Sequence, residues 1–483
     1  MKRQHASQCA PMDRRQWLRW GGASLAGALG VGSLSALLQN PVKAQADSYK
    51  ALVCVFLYGG NDGQNTVVPT DTTRYNQYAA VRGPLALPRN SLVSMAGTDL
   101  GLHPSMAALA PVCNARKIAA VANVGPLFGP LTKTEFRSLP GTSPLIPDNL
   151  FSHSDQQIEW EASSARSLER TGWGGRATDT LGTTNPVISV GGNGHFGLSA
   201  LGTPLVLPGP GDTFGVEGLE GTWAPTVARK TALEALYQPG NLGSSNVLLD
   251  AYAQQQRTAF EVSSRLGAIV GVEPNPAAPT LIDTAFAPLT NAQGVISTDL
   301  GRQLYQIAKL VAGRATVQGD RQIFFAQQGG YDTHNEQIAA DSLSGVHARL
   351  LQGLADAMAC FYNAMAAIGM GNNVTLFTQS DFGRTFVPNS SSGTDHAWGN
   401  HHLVMGGAVQ GGAVYGIYPE LVAGGPNDVG VSSWELHGRW IPTTSVDQYA
   451  ATLLRWFGAS DPQLNTILPN LTNFSTRNLG FLG

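Results

Sequence analysis

Five short polar runs of the sequence bring together residue types able to do metal or acid–base chemistry. They are Gly59-Gly60-Asn61-Asp62-Gly63-Gln64-Asn65, Phe151-Ser152-His153-Ser154-Asp155, Gly329-Gly330-Tyr331-Asp332-Thr333-His334, Ser380-Asp381-Phe382-Gly383-Arg384, and the stretch from Gly393 through Thr394, Asp395 and His396 to His402. Carboxylates and imidazoles gathered in one crevice repel one another or stay unpaired unless something positive sits among them, and a divalent cation is the simplest such group. A mixed Asp/His set suits zinc or manganese, whereas an all-oxygen set suits magnesium or calcium. Each run alone also has a structural reading. Asp62 between glycines is a turn former, Asp332-Thr333-His334 can cap a following helix, Thr394 or Asp395 can shape a turn, and His401 and His402 face opposite ways if both lie in a strand. Ser152 stands just before a helical pattern, where it is either a hydroxyl nucleophile near the anion-favouring helix start or, like Ser154, an N-cap. Arg384 either grips an anionic oxygen with its fork or pairs with a surface carboxylate.

The elements that must position these runs are legible from hydrophobic periodicity. Continuous apolar, β-prone segments at Ala51–Leu57, Ile118–Val124, Pro186–Val190, Gln322–Ala326, Asn373–Thr378 and His402–Met405 read as strands buried on both faces. Helical patterns at Asp155–Ser167, Ser245–Ile269, Thr298–Arg314, Ser342–Ile368 and Asp447–Phe457 alternate with them. The alternation predicts an α/β fold, a three-layer sandwich with a mostly parallel central sheet, and in such sheets ligands bind at the carboxyl ends of the strands. The five polar runs fall at those ends or lead from them. Gly/Pro-rich segments near 202–243 and 271–297 are expected to be loop or cap insertions in a single domain spanning 47–483.

Composition narrows the function further. The chain has 483 residues, with 30 Lys+Arg against 33 Asp+Glu and only 13% charged residues, a balance that argues against a nucleic-acid partner. With 43% hydrophobic residues it can bury a sizeable core, and its 57 glycines and 28 prolines fit long loops on one α/β scaffold. Arg14-Arg15-Gln16-Trp17-Leu18 precedes an uncharged Gly/Ala-rich stretch, Gly21 to Leu38, and small-residue cleavage sites around Ala44 and Ala46. This start resembles a twin-arginine signal over residues 1–46, which implies the twin-arginine export machinery as partner, export in the folded state, and a periplasmic or secreted mature chain without a membrane span. Cys54, Cys113 and Cys360 have no close pair and read as buried free thiols, with at most one disulfide. The GxGxxG match at Gly192–Gly197 lacks a long helix behind it, because Pro204 and Pro208 follow, so it is a poor dinucleotide site.

Phe56-Leu57-Tyr58-Gly59-Gly60-Asn61-Asp62-Gly63, Gly330-Tyr331-Asp332-Thr333-His334, Ser380-Asp381-Phe382-Gly383-Arg384-Thr385 and the run from Gly393 to Asn400 together resemble the domain-of-unknown-function family numbered 1501. That family is similar in turn to the alkaline phosphatase and sulfatase superfamily. The resemblance implies a metal-dependent hydrolase or transferase acting on a phosphate or sulfate ester, with one or two divalent ions held by Asp62, Asp332, His334, Asp381 and His396 and with Ser152 as nucleophile; Arg384 joins it as a candidate catalytic residue on its own chemistry, as a grip on an anionic oxygen. Asp332 and His334 stand closer in sequence than the superfamily's usual pair. Phe382 stands where the superfamily's Ser-Asp-His-Gly motif has a metal-binding histidine, which puts a second ion in question and leaves a non-catalytic binding or assembly role in the cell envelope as the alternative. None of the three cysteines sits in a formylglycine-forming context, which argues against a formylglycine-type sulfatase.

Overall fold

A computed structural model describes residues 49–212, 214–216, 218–219, 221–241 and 246–483. The expected signal segment, residues 1–46, lies outside them. Among the described residues twelve strands follow one another: β1 (Lys50–Leu57), β2 (Val67–Pro69), β3 (Val93–Ser94), β4 (Leu100–Leu102), β5 (Ile118–Gly125), β6 (Ile188–Ser189), β7 (Leu205–Val206), β8 (Arg321–Gln328), β9 (Val374–Ser380), β10 (Asn400–Gly406), β11 (Val414–Gly416) and β12 (Thr444–Ser445). Nine of them form one sheet in the order β11-β5-β10-β9-β1-β8-β6-β7, with β12 also paired to β5. All pairings in it are parallel except the two made by β10. The protein is thus α/β with a mixed, mostly parallel large sheet. A small antiparallel sheet, β2-β4-β3, lies apart from it.

The central strands are apolar throughout because both faces of the sheet are covered. In β1, Val53, Val55 and Leu57 enter one core with the helices Leu281–Phe286, Asp299–Ala312 and Val346–Ala367. The alternate residues Leu52, Cys54 and Phe56 enter a second core with the helices Trp173–Leu181 and Val446–Phe457. Each fully buried Leu or Phe contributes about 1.5–3 kcal/mol, so a strand loaded on both faces is fixed in register. Helix starts are set locally. Thr298 accepts the Gly301 N–H, and Ser445 and Gln448 form a reciprocal capping box.

Two segments expected to be insertions belong in part to the scaffold. Leu205–Val206 extends the sheet edge beside β6, and Ile282 and Phe286, within the Pro/Ala-rich stretch, are buried in the first core. Turn-forming composition hid them because each contributes only a few residues of regular structure. The helix expected at Asp155–Ser167 spans His153–Ala162 and stops at Ser163, which is left-handed with φ 48°. Cys54, Cys113 and Cys360 are free and buried. Among the described residues no helix is long and apolar enough to cross a membrane.

Since β10 alone runs against its neighbours, the exits of β1, β5, β8 and β9 and the entrance of β10 lie along one edge. The five polar runs occupy that edge.

Candidate metal centre

Gly59 and Gly60 close the β1 exit in left-handed conformations, φ 111° and 79°, and a Cβ on either would collide with the Asp332 backbone or the Phe382 ring. These glycines let the loops after β1, β8 and β9 pack on one another. Asp332 follows β8, and one of its carboxylate oxygens, Oδ1, is the point on which the site converges. Nε2 of His334 lies 3.1 Å from it, and Nε2 of His153 and of His396 each lie 3.4 Å from it. Nε2 of His334 and Nε2 of His396 are 2.8 Å apart. On the far side, Arg384 donates to the same oxygen at 2.5 Å. Burial opposes ionisation of Asp332, but Arg384 and the histidines outweigh it and hold the carboxyl at about 2.

Each histidine is oriented through its other nitrogen. His153 donates Nδ1–H to Asp381 Oδ2 at 2.7 Å, His334 donates to Asp395 Oδ1 at 2.8 Å, and His396 donates to the Phe151 carbonyl at 2.7 Å. A carbonyl or ionised carboxylate oxygen only accepts, so in each neutral ring the proton is on Nδ1 and the Nε2 lone pair faces the others. Two such lone pairs at 2.8 Å repel unless a proton or cation lies between them. An Nδ1–H bonded to carboxylate or carbonyl with Nε2 turned inward is also how metal-bound histidines are held. The hydrogen bond to Asp381, opposed by burial, raises the pKa of His153, whereas burial lowers that of His396. His153, Asp332 and His396 each present a ligand atom within 4.8 Å of the other two, and His334 meets both Asp332 and His396.

The sequence-based metal-ligand candidates divide into three groups. Asp332, His334 and His396 are in the cluster. Asp381 lies behind it, fully buried, accepting from the Gly59 N–H at 3.1 Å, Gln157 Nε2 at 2.8 Å and His153; it orients a histidine and lies at no ligand position. Asp62 is elsewhere. Its carboxylate is taken by Arg82, by Gln337 Nε2 at 2.5 Å and by the Gln64 N–H at 3.2 Å, all out of solvent. Arg384, expected at substrate oxygens, is buried and donates to the carbonyls of Gly59, Gly60, Tyr331 and Thr394 as well as to Asp332. Ser152 precedes His153 and does not bond the helix N–H groups. Its hydroxyl donates to Asp155 Oδ2 at 2.5 Å and meets the Ser154 hydroxyl at 3.1 Å.

His153 and Asp395 are the members that sequence reasoning passed over. His153 lies in one of the five polar runs, next to Ser152, and its sequence signal is a histidine opening a helix at a strand-end loop. Phe382 packs its ring 4.7 Å from that of His153 and 4.6 Å from that of His396, and so forms an apolar wall of the cluster. His401 and His402 do point apart, towards Gln64 and towards Trp160, and neither joins the cluster.

Comparison with known proteins places this geometry in context. Residues 225–465 match the family described as "Protein of unknown function (DUF1501)". The match supports the domain-of-unknown-function family. It includes Asp332, His334, Asp381 and His396 and stops short of Asp62 and His153. No curated protein matches the chain. Among solved structures, the crystal structure of Ps i-CgsB in complex with k-i-k-neocarrahexaose aligns at 11% identity over 86% of this chain and 74% of the other, with a TM-score of 0.32.

Proposed function

We propose that His153, Asp332, His334 and His396 hold one divalent cation, and that the protein is an exported hydrolase or transferase acting on a phosphate or sulfate ester. The observation that carries this is the convergence of three inward-facing Nε2 lone pairs on one Asp332 oxygen, each ring fixed from behind. A nitrogen-rich donor set of this kind suits zinc or manganese better than magnesium or calcium. When bound, the ion supplies a Lewis acid for an ester oxygen. Asp381, Asp395 and the Phe151 carbonyl set the ring orientations, and Arg384 fixes Asp332. The Ser152 hydroxyl, aligned by Asp155 at the start of the His153–Ala162 helix, would attack the phosphorus or sulfur and pass its proton to that carboxylate; the P–O or S–O bond to the alcohol would break, the alcohol leaving with a proton from water, and the serine ester would be cleaved by water or passed to another acceptor. Asp62 neutralised by Arg82, and Phe382 in place of a ligand, favour one ion over two. An alkaline phosphatase or sulfatase-like ancestry and twin-arginine export to the periplasm or medium complete this reading.

Phe382 also favours a second reading, a binding or assembly protein of the cell envelope on the same scaffold, because it lines the cluster with an apolar wall. Elemental analysis of the purified mature protein, dialysed without chelator, separates the readings at their root. The expected result is one equivalent of zinc or manganese, none in Asp332→Asn, and about 10–100-fold weaker affinity in Asp381→Asn, as expected for a group that only orients a ligand. A protein that takes up neither ion when each is supplied would sink the metal centre and the hydrolase with it. Metal uptake without turnover of any aryl phosphate or sulfate would leave the binding reading standing.

A further inference from the structure

Arg384 cannot serve as the site's anion grip, since its nitrogens are committed to backbone carbonyls and Asp332. A second arginine stands beside the cluster. Arg439 donates Nε–H to the backbone carbonyl of His396 at 2.9 Å, and its guanidinium lies over the Phe151 ring, 4.8 Å from the ring centre. Both contacts are to residues that build the site. Phe151 supplies the carbonyl that orients His396, and Ser152 follows it.

Arg439 is also held rigidly from its own backbone. The fully buried Asp428 carboxylate accepts N–H groups from Gly424, Gly430, Gly438 and Arg439, at 2.8, 3.1, 3.0 and 3.1 Å, and Asp428 bridges Trp440. One edge and one face of the guanidinium are therefore fixed, while among the described residues its two terminal nitrogens have no hydrogen-bond partner; the residue is half-buried, and the Asp395 and Asp428 carboxylates act on its charge without bonding those nitrogens. Phe151 itself holds a left-handed backbone, φ 74°, which a bulky residue adopts only when its surroundings impose it. A half-buried guanidinium with its outer fork free, beside a set of metal-ligand histidines, has the form of a receptor for a tetrahedral oxyanion.

We infer that Arg439 binds the terminal anionic oxygens of the substrate's phosphate or sulfate group, a role that rests on the ester-processing reading above. The residue is thus an anion-binding group placed by Asp428, the His396 carbonyl and Phe151. The preferred substrates are esters whose phosphorus or sulfur carries free anionic oxygens. Fully esterified neutral analogues gain nothing from Arg439.

The test titrates inorganic phosphate and sulfate into the metal-loaded protein by calorimetry, with metal content and thermal stability measured on the same samples. Arg439→Gln keeps a donor for the His396 carbonyl but removes the fork and the charge, and Arg439→Lys restores the charge alone. The expected result is anion binding about 10–100-fold weaker in Arg439→Gln, partly recovered in Arg439→Lys, with metal content unchanged. Equal anion affinity in wild type and Arg439→Gln, or no anion binding by the metal-loaded wild type, overturns the inference. If the wild type takes up no metal yet binds phosphate through Arg439, the anion site stands and the metal centre falls; if it binds neither, both fall. Should Arg439→Gln fail to fold, Arg439→Lys decides, because losing the planar fork must still weaken binding of a two-oxygen ligand.

Discussion

Asp62 and Asp332 reach their positions in nearly the same way and end in opposite states. Each follows a glycine pair at the exit of a parallel strand, Gly59-Gly60-Asn61-Asp62 after β1 and Gly329-Gly330-Tyr331-Asp332 after β8, and the two strands are hydrogen-bonded neighbours. Each carboxylate also meets an arginine whose side chain is fully buried. Asp62 is itself fully buried, so one arginine cancels it and the pair is closed. The Asp332 side chain is 48% exposed, and its arginine leaves one flank open to three histidines. Each carboxylate has one arginine, so the difference lies in exposure: Asp62 is sealed by its partners, whereas Asp332 keeps an oxygen within reach of further groups.

The largest expected effect breaks the closed member. Asp62→Ala would leave the Arg82 charge buried against the Asn65 amide oxygen and the carbonyls of Thr385 and Phe386. Removing one partner of a buried pair costs about 3–5 kcal/mol, so this variant should unfold at markedly lower urea. Asp332→Asn keeps an amide oxygen to accept from the buried Arg384 and removes a charge from a side chain that is 48% exposed, so it should cost less, on the order of 1 kcal/mol. Equal losses in urea melts of the two variants would show that the sites are not of different kinds.

Local sequence could not separate the two, and the reason is physical. The strands were legible because both faces of β1, β5, β8 and β9 are buried, which writes an unbroken apolar run into the chain. Asp332, His334 and His396 were legible because their runs join at strand ends. What decides between structure and site is a partner distant in sequence. Arg82 comes from the helix Thr72–Arg82, and the His153–Asp381 bond spans 228 residues. No local pattern announces such pairings, which is also why Arg384 was expected at the substrate and Arg439 was not singled out.

A third carboxylate sharpens the comparison because no arginine bonds it, and Arg166, paired with Asp148, offsets its burial only weakly. Glu159, on the helix that begins with His153, is fully buried, and neither of its oxygens has a hydrogen-bond partner. Burial first, and the negative charge of Asp148 next, push its pKa up to about 9. A carboxylate denied a counter-ion takes a proton instead. Because the folded-state value is raised, the protonated group costs nothing below the ordinary carboxyl range, and stability is lost as pH rises from there towards 9. Glu159→Gln should therefore match the wild type near pH 4 and be more stable than it at pH 8, where the unfolded chain gives up a proton that the folded chain keeps. Urea midpoints at the two pH values check this, and a variant less stable at pH 8 would mean that Glu159 is ionised and paired.

The smallest effect on stability is expected where the effect on chemistry should be greatest. The Ser152 side chain makes no bond to the helix N–H groups, and its hydroxyl meets only the side chains of Asp155 and Ser154 at the partly exposed helix start. Removing it should therefore cost less than the ~1 kcal/mol typical of a working N-cap. If Ser152 is the nucleophile, Ser152→Ala abolishes ester turnover while metal content and urea midpoint stay at wild-type values. If it is only a helix-start residue, turnover survives. A variant that loses both turnover and more than about 1 kcal/mol would place the hydroxyl in the framework holding His153, and so on the Asp62 side of the comparison rather than the Asp332 side.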